Sequence, residues 1–424
     1  MRLPVVCALL PLALFAAEPV RDGTRAPFHP AAEAAVEQAH RELTTRLLSP
    51  EGLLWDYVGE LPTPKDCAEC RPNAMGWWSP IENGPMFTGP WLDAMCRRAQ
   101  ATGAAADRDL CRKLAGGLLL AASVSDVPGM IVRGVGADGR CHYPLGSTDQ
   151  TLPWFFGLRA YCCSGLPDAA MRKRVADKMV EVALAMERIG WMVPSDGCFK
   201  GETRGAFVKD GLPFRGATHY LFLLRALYDV TGDRAWLDKY VKARDERYPG
   251  LEITRLQVCA AGYMIDRPKF DCDGTGNWIY VCAQGCLEVL CRMETDPSVK
   301  AQYRRGLDAT AASASGRMAP SAAWKNTRET PFRYANWRTG YAWRPQRTQK
   351  EAEEVAYTGK RAVLGTRKDE ERRLVTCPLS AAALCAYAGK AREEIALTLR
   401  RYDYSSVNIS EFFLAEVAWW CFRD

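Results

Sequence analysis

Two carboxylates in this chain stand directly before helical stretches and beside aromatic rings. Glu82 follows Trp77, Trp78, Ser79, Pro80 and Ile81 and precedes Asn83. Asp149 follows Ser147 and Thr148, with Gln150 next to it and Trp154 five residues on. Aromatic rings beside a carboxylate and a carboxamide suit a sugar, whose apolar face stacks on the ring while its hydroxyls take hydrogen bonds. Each residue also has a plainer reading: Trp77 and Trp78 can seal the packing, Glu82 can serve a helix start, and Asp is a preferred helix N-cap, which Asp149 can be. Cleavage of a glycosidic bond needs two carboxyl groups, one protonated and one ionised. With Asp149 as the acid, the partner must reach it from another loop. Glu82 and Asp126 are the first candidates, followed by Asp196, Glu202, Asp271 and Asp273.

Around these carboxylates the sequence supplies cations and more rings. Arg133, Arg204, Arg215 and Arg338 can hold a carboxylate or sulfate on a sugar through bidentate bonds. His142 and Tyr143, or His219 and Tyr220, suit a different chemistry. A lyase takes the proton next to a uronate carboxyl with His or Tyr while Asn or Arg neutralises that carboxyl. Tyr334, Asn336, Trp337, Tyr341 and Trp343 cluster in one connection and read as aromatic platforms or as packing for a loop with no core of its own. Asp271-Cys272-Asp273-Gly274 reads as a turn, since it lacks the ligand count of a calcium loop. Cys67 and Cys70 form one C-x-x-C with no second pair at zinc-ligand spacing, so a local disulfide or two plain thiols is expected there and no metal site.

The elements that must position these residues are helices in pairs. Pro90 to Leu120, Pro153 to Gly190, Thr218 to Arg247, Trp278 to Arg317 and Leu379 to Arg400 each read as two apolar-periodic runs broken by a short polar turn. Helices near 31–48 and 409–422 bring the expected number to twelve. The first four pairs start about 60 residues apart, a repeat-like period of units that share one core. The connections between pairs, 49–85, 125–151, 190–216, 248–276 and 316–376, are long and rich in Gly, Pro and aromatics. Loops of this length are uncommon unless functional or disordered. In an alternating up-down arrangement the short turns gather at one end and the long connections at the other, which predicts one loop-rich face and one site.

This pattern of hairpin number and loop placement resembles the six-hairpin glycosidase superfamily, all-α proteins built as an (α/α)6 toroid that include unsaturated glucuronyl and rhamnogalacturonyl hydrolases. The outline is also similar to α-toroid polysaccharide lyases and to sugar epimerases, and fold alone does not choose among these chemistries. In the glucuronyl hydrolases a catalytic Asp precedes an apolar aromatic helix, as Asp149 does here. Their motif carries a Trp shortly before that Asp, where this chain has Ser147 and Thr148. The resemblance implies a glycoside hydrolase using Asp149 with Glu82 or Asp126. The substrate contacts expected with them are Trp77, Trp78, Arg133, His142, Tyr143, Gln150, Trp154, Arg215, His219, Trp337 and Arg338. The alternatives are a lyase and a glycan-binding toroid without catalysis.

Bulk properties agree with an exported protein. Met1 and Arg2 precede an apolar run from Leu3 to Ala17 that ends in small residues, the pattern of a secretory signal over 1–17. The expected location is periplasmic or extracellular, with residues 18–424 forming a single toroid domain. The leader's apolar run is shorter than the roughly 20 residues a spanning helix needs, and no later segment is long and apolar enough. Composition is globular, 48% hydrophobic and 25% charged with 13 Trp and 16 Tyr. A net charge of +6 with interspersed signs gives nucleic-acid binding no stripe to use, and is compatible with an acidic glycan. Seventeen Cys occur, one of them Cys7 in the leader. Many of the others fall inside helical runs, where free Cys acts as a small hydrophobe, so few disulfides are expected. Gly134-Val135-Gly136 lacks a strand-turn-helix setting and there is no G-x-S-x-G, so no cofactor is expected.

Overall fold

The structure is a computed structural model that describes residues 29–267, 270, 277–318, 337–338, 343–363 and 370–423. The leader at 1–17, the turn at 271–274, and Tyr334, Asn336 and Tyr341 lie outside the described residues. The described chain is mostly helical. Its helices are α1 (Pro30–Glu42), α2 (Pro64–Ala68), α3 (Gly84–Thr102), α4 (Ala105–Ala121), α5 (Thr148–Cys163), α6 (Ala169–Arg188), α7 (Pro213–Thr231) and α8 (Arg234–Asp245). They continue with α9 (Arg255–Ala261), α10 (Asn277–Met293), α11 (Pro297–Ala314), α12 (Gln349–Val363), α13 (Cys377–Tyr387), α14 (Arg392–Leu399) and α15 (Leu414–Arg423). A short antiparallel ribbon, β1 (Met192–Pro194) with β2 (Thr203–Ala206), folds out of one connection.

Six helices pack in a cycle: α3 on α5, α5 on α7, α7 on α10, α10 on α13, α13 on α15, and α15 back on α3. The others lie against this cycle. Helix α4 packs on α3 and α5, α6 on α5 and α7, α8 on α7, α11 on α10 and α13, α14 on α13 and α15, and α1 on α14 and α15. Residue patterns explain the two layers. Every residue of α13 is buried, as are nearly all of α3 and α5, which requires apolar surface all round. Helix α6 buries only Val175, Met179, Val182, Ala183, Ala185 and Met186, one stripe at helical spacing.

The helix pairs turn where the polar breaks predict, at 103–104, 164–168, 232–233, 294–296 and 388–391. The starts differ. Pro90 and Pro153 read as first-turn prolines, yet both lie inside helices that begin at Gly84 and Thr148. Close backbone packing accompanies this: a Cβ on Gly89 would stand 2.0 Å from the Pro153 carbonyl oxygen, and one on Gly157 would stand 2.7 Å from the Gly89 Cα. Only glycine lets α3 and α5 approach so closely. Fifteen helices are present among the described residues, against the twelve expected, because the long connections carry α2, α9 and α12.

The inner helices run parallel, since like ends meet. Near their N-termini the Met86 N–H of α3 donates to Gln150 Oε1 of α5 at 3.2 Å, and Arg215 of α7 pairs with Asp149 of α5. In their C-terminal halves Arg159 of α5 pairs with Asp229 of α7 at 3.0 Å. The middle of the cycle is filled: a Cβ on Gly285 of α10 would meet Phe156 of α5 at 2.8 Å and Tyr387 of α13 at 2.9 Å.

Candidate active site at the N-terminal ends of the inner helices

Helix starts differ between the layers. Asp168, Asp233 and Asp296 cap α6, α8 and α11 by accepting backbone N–H bonds. The residues preceding α3, α5 and α7 (Asn83, Ser147 and Leu212) provide no such side-chain cap. The inner starts are served by groups from elsewhere, among them Gln150 and Asp266, and their positive dipole ends share one mouth with the long connections.

The first connection places Glu82. Asp56 accepts from the Asn83 backbone N–H and side-chain amide, each at 2.7 Å, which fixes the chain just before α3. Glu82 is only 8% exposed, and its carboxylate accepts the Trp78 backbone N–H at 3.0 Å. Trp78 holds a φ of 75°, unfavourable for a bulky side chain. Its indole N–H donates to the Ala356 carbonyl of α12 at 3.3 Å, and its own carbonyl accepts from Tyr57 at 2.7 Å. Trp78 is therefore an anchor beneath α12. Trp77 is less buried; it meets Tyr357 edge-on at 5.8 Å, and the Arg204 guanidinium lies 5.5 Å from its ring.

Asp149 occupies the first turn of α5 without being its N-cap. Its side chain is 33% exposed and accepts from Arg215 at 2.8 Å, while Arg215 also clasps Asp210. Between Glu82 and Asp149 lies Arg133, buried and donating to the Glu82 and Leu145 carbonyls and to Ser147 Oγ. Burial pushes the Arg133 pKa down to about 10 and the neighbouring Arg204 adds to this, against the pull of Asp149, Glu82 and Asp56. Arg204 has a buried Nε without a hydrogen-bond partner and makes no carboxylate pair among the described residues. The mouth thus gathers two carboxylates, a buried guanidinium between them and a second guanidinium left uncompensated.

The remaining candidates fall in several places. Gln150 is buried and bridges Met86 N to Asn83 Oδ1, so it holds α3 to α5. His142 bonds Asp196 at 2.8 Å through Nε2 and the Arg140 carbonyl at 2.8 Å through Nδ1. Burial opposes charge on His142, yet the Asp196 bond raises its pKa above the usual value; the same bond is the main cause holding Asp196 down at about 2. Tyr143 is buried beneath Gly76 and donates to the Arg71 carbonyl. His219, one turn beyond Arg215, is buried with neither ring nitrogen hydrogen-bonded, and burial drives its pKa well below the ordinary value.

Three expectations are corrected. Trp154 is fully buried and donates to the Leu118 carbonyl of α4 at 2.6 Å, so it packs between layers and does not face the mouth. Asp126 has a side chain 79% exposed, beside Lys200 at 3.5 Å on the surface. Trp337 and Arg338 are committed to the first connection: the indole donates to the Glu60 carbonyl at 3.0 Å and the guanidinium binds Asp66 and the Leu61 carbonyl. Cys67 and Cys70 are free thiols that do not pair with each other.

Sequence alone does not single out Asp266. It accepts the Phe214 backbone N–H at 2.7 Å and lies near Arg215 and Tyr280, and burial raises its pKa to about 6. No periodicity marks it, because it sits after the last turn following α9. Among the described residues no cluster of three or more His, Cys, Asp or Glu is placed to hold a metal, and no helix is long and apolar enough to cross a membrane. No protein-family model matches the chain, and no curated protein or solved structure is significantly similar to it.

Proposed function

We propose that the chain is a glycoside hydrolase acting on an acidic oligosaccharide, with Glu82 and Asp149 as its carboxyl pair at the mouth of an (α/α)6 toroid. The cyclic packing of six parallel helices within an outer layer supports the toroid. The observation that carries the activity is the convergence of Glu82, Asp149, buried Arg133 and uncompensated Arg204. The Arg215 contact suits Asp149 to the charged role, base or nucleophile. Glu82, with no cation in ion-pair reach among the described residues, takes the role of proton donor. Arg204 beside Trp77 forms a cationic and aromatic corner that fits a sugar ring bearing a carboxylate or sulfate. A lyase reading loses two of its bases: both His142 nitrogens are engaged and the Tyr143 hydroxyl is spent on the Arg71 carbonyl.

The test is incubation of the purified protein with neutral and uronate-containing oligosaccharides, following reducing ends and the absorbance of unsaturated sugars separately. New reducing ends without unsaturation are expected, and Asp149→Asn and Glu82→Gln each lower the rate by about 10²–10⁴-fold with the fold intact. Unsaturated product would replace hydrolysis by elimination. An alkaline-side pH limb near 6 that vanishes in Asp266→Asn would transfer the proton-donor role to Asp266.

A further inference from the structure

The mouth continues outward along a row of side chains that ends on α12. Arg204 belongs to β2, and its neighbour Gly205 lies against the first residue of α5: a Cβ there would stand 2.9 Å from Thr148 Cγ2. Arg204 is thus beside the turn that carries Asp149, and its guanidinium lies 5.5 Å from the Trp77 ring. Beyond Trp77 stands Tyr357 of α12, 5.8 Å away and turned by 82°. The two rings form a corner, not a stack. Exposure rises along the row: Arg133 is buried, Arg204 and Trp77 are half-buried, and Tyr357 is 62% exposed. Among the described residues no other Phe, Tyr or Trp is so open to solvent.

Helix α12 is fixed in this place by its other side. Ala352 and Ala356, one turn apart, are buried in a small cluster with Met75, Leu145 and Phe199. The Gln349 backbone N–H, at the start of the helix, donates to Glu202 of the ribbon connection at 3.0 Å. The Ala356 carbonyl takes the Trp78 indole N–H. The position of Tyr357 is therefore set by the same connections that place Trp77, Glu82 and Arg204, while its own ring adds little to the packing.

We infer that Tyr357 is a stacking platform for the sugar ring next to the one held at Arg204 and Trp77, so that the site takes at least two rings of an oligosaccharide. The inference rests on the reading of the mouth as a site for an acidic oligosaccharide. The charged ring goes to Arg204, which has no carboxylate partner among the described residues. The neighbouring ring lays its apolar face on Tyr357 and turns its hydroxyls to the helix. Glu353, one turn before Tyr357 and half-buried, accepts from the Gln349 side chain at 3.3 Å and keeps lone pairs for those hydroxyls. A neutral ring fits there, since the Glu353 charge opposes a second carboxylate.

The experiment measures binding by calorimetry to the full-length Glu82→Gln protein, in which turnover is slow, with two ligands: methyl glucuronoside, and xylotriose carrying one glucuronate. The larger ligand should bind about 3–10-fold more tightly, the worth of one stacked ring. Tyr357→Ala should abolish that gain and leave the affinity for methyl glucuronoside unchanged. Tyr357→Phe should keep the gain, because the ring and not the hydroxyl stacks. A gain that survives in Tyr357→Ala overturns the inference. So does a lower urea midpoint in that variant with both affinities reduced, which would make Tyr357 a cover for Trp77. The hydrolase reading fails separately: a Tyr357-dependent gain with no turnover in the wild type keeps the platform and discards the hydrolase, whereas turnover with no Tyr357-dependent gain does the reverse. Absence of binding by either ligand removes the platform together with its acidic-sugar premise.

Discussion

The two ends of the helical cycle treat buried charge in opposite ways. In the C-terminal halves of the inner helices, Arg97, Arg159, Arg225, Asp229 and Glu288 each find an opposite charge. Arg97 of α3 binds Asp93 at 3.2 Å and reaches Glu288 of α10, on the opposite side of the cycle, at 3.5 Å. Asp229 is held by Arg159 and Arg225, each at 3.0 Å. Burial alone would raise the Glu288 pKa, but Arg292, Arg97 and Arg159 hold it below the ordinary value. At the mouth, Asp266 is pushed up to about 6, and among the described residues Arg204 has no carboxylate partner and His219 no hydrogen bond. Charges that complete one another close the far end and hold the helices in register. Groups left incomplete are those a ligand can complete.

The strongest way to break this contrast is at the closed end. Asp229→Ala strands two buried guanidinium groups and should destabilise the protein by about 3–5 kcal/mol, read as a lower urea midpoint. Asp149→Asn should move that midpoint far less, since its partner Arg215 keeps Asp210. Equal losses in the two variants would show that the mouth is as structural as the far end.

A smaller effect is expected at Arg204. Arg204→Met removes a cation with no carboxylate partner among the described residues, so stability should hold or rise slightly. The KM for a uronate-containing oligosaccharide should rise by about 10–100-fold, the worth of a charged hydrogen bond, while a neutral one is little affected. A loss of stability with unchanged KM would return Arg204 to a packing role against Trp77.

How much of this was legible in the sequence depends on the range of the interaction. The helix pairs were legible because Asp168, Asp233 and Asp296 stop and restart the chain locally. The direction of Trp154 was not, because α5 is buried on every side and its periodicity points nowhere. Helix α12 was hidden in a connection read as loop, and the interior prolines of α3 and α5 mimicked helix starts. Glu82 and Asp149 were visible as carboxylates before helices, but the Arg215 partner is 66 residues away from Asp149 and its choice depends on the packing of α5 against α7. Asp266 had no local signature at all, since its raised pKa comes from burial after folding.

Asp266 gives a pH-dependent version of the same comparison. Below about 4 it is protonated folded and unfolded, and makes no difference. Between 3.8 and about 6 the unfolded chain releases the proton while the folded chain keeps it, so folding loses stability across that window; above 6 the penalty is constant. The stability of Asp266→Asn relative to wild type should therefore rise by about 1–2 kcal/mol between pH 4 and pH 6 and then level off. A flat difference from pH 4 to pH 8 would mean that the carboxylate is solvated in the folded state.

The smallest expected effect comes from His219, and it separates the two meanings of an incomplete group. A buried polar side chain without a partner costs about 1–3 kcal/mol, so a well-fitting apolar replacement should be neutral or stabilising by about 1 kcal/mol. If the imidazole is only a tolerated flaw in α7, His219→Leu gains that stability and leaves turnover alone. A ligand-binding role predicts otherwise: His219 lies one turn inside Arg215, at the same mouth, and its neutral ring can donate to or accept from a sugar hydroxyl. His219→Leu should then keep or improve the urea midpoint and raise KM, with His219→Gln recovering part of the affinity because an amide can also donate and accept. A stabilised variant with unchanged KM would confine the open charge of the mouth to Asp149, Arg204 and Asp266.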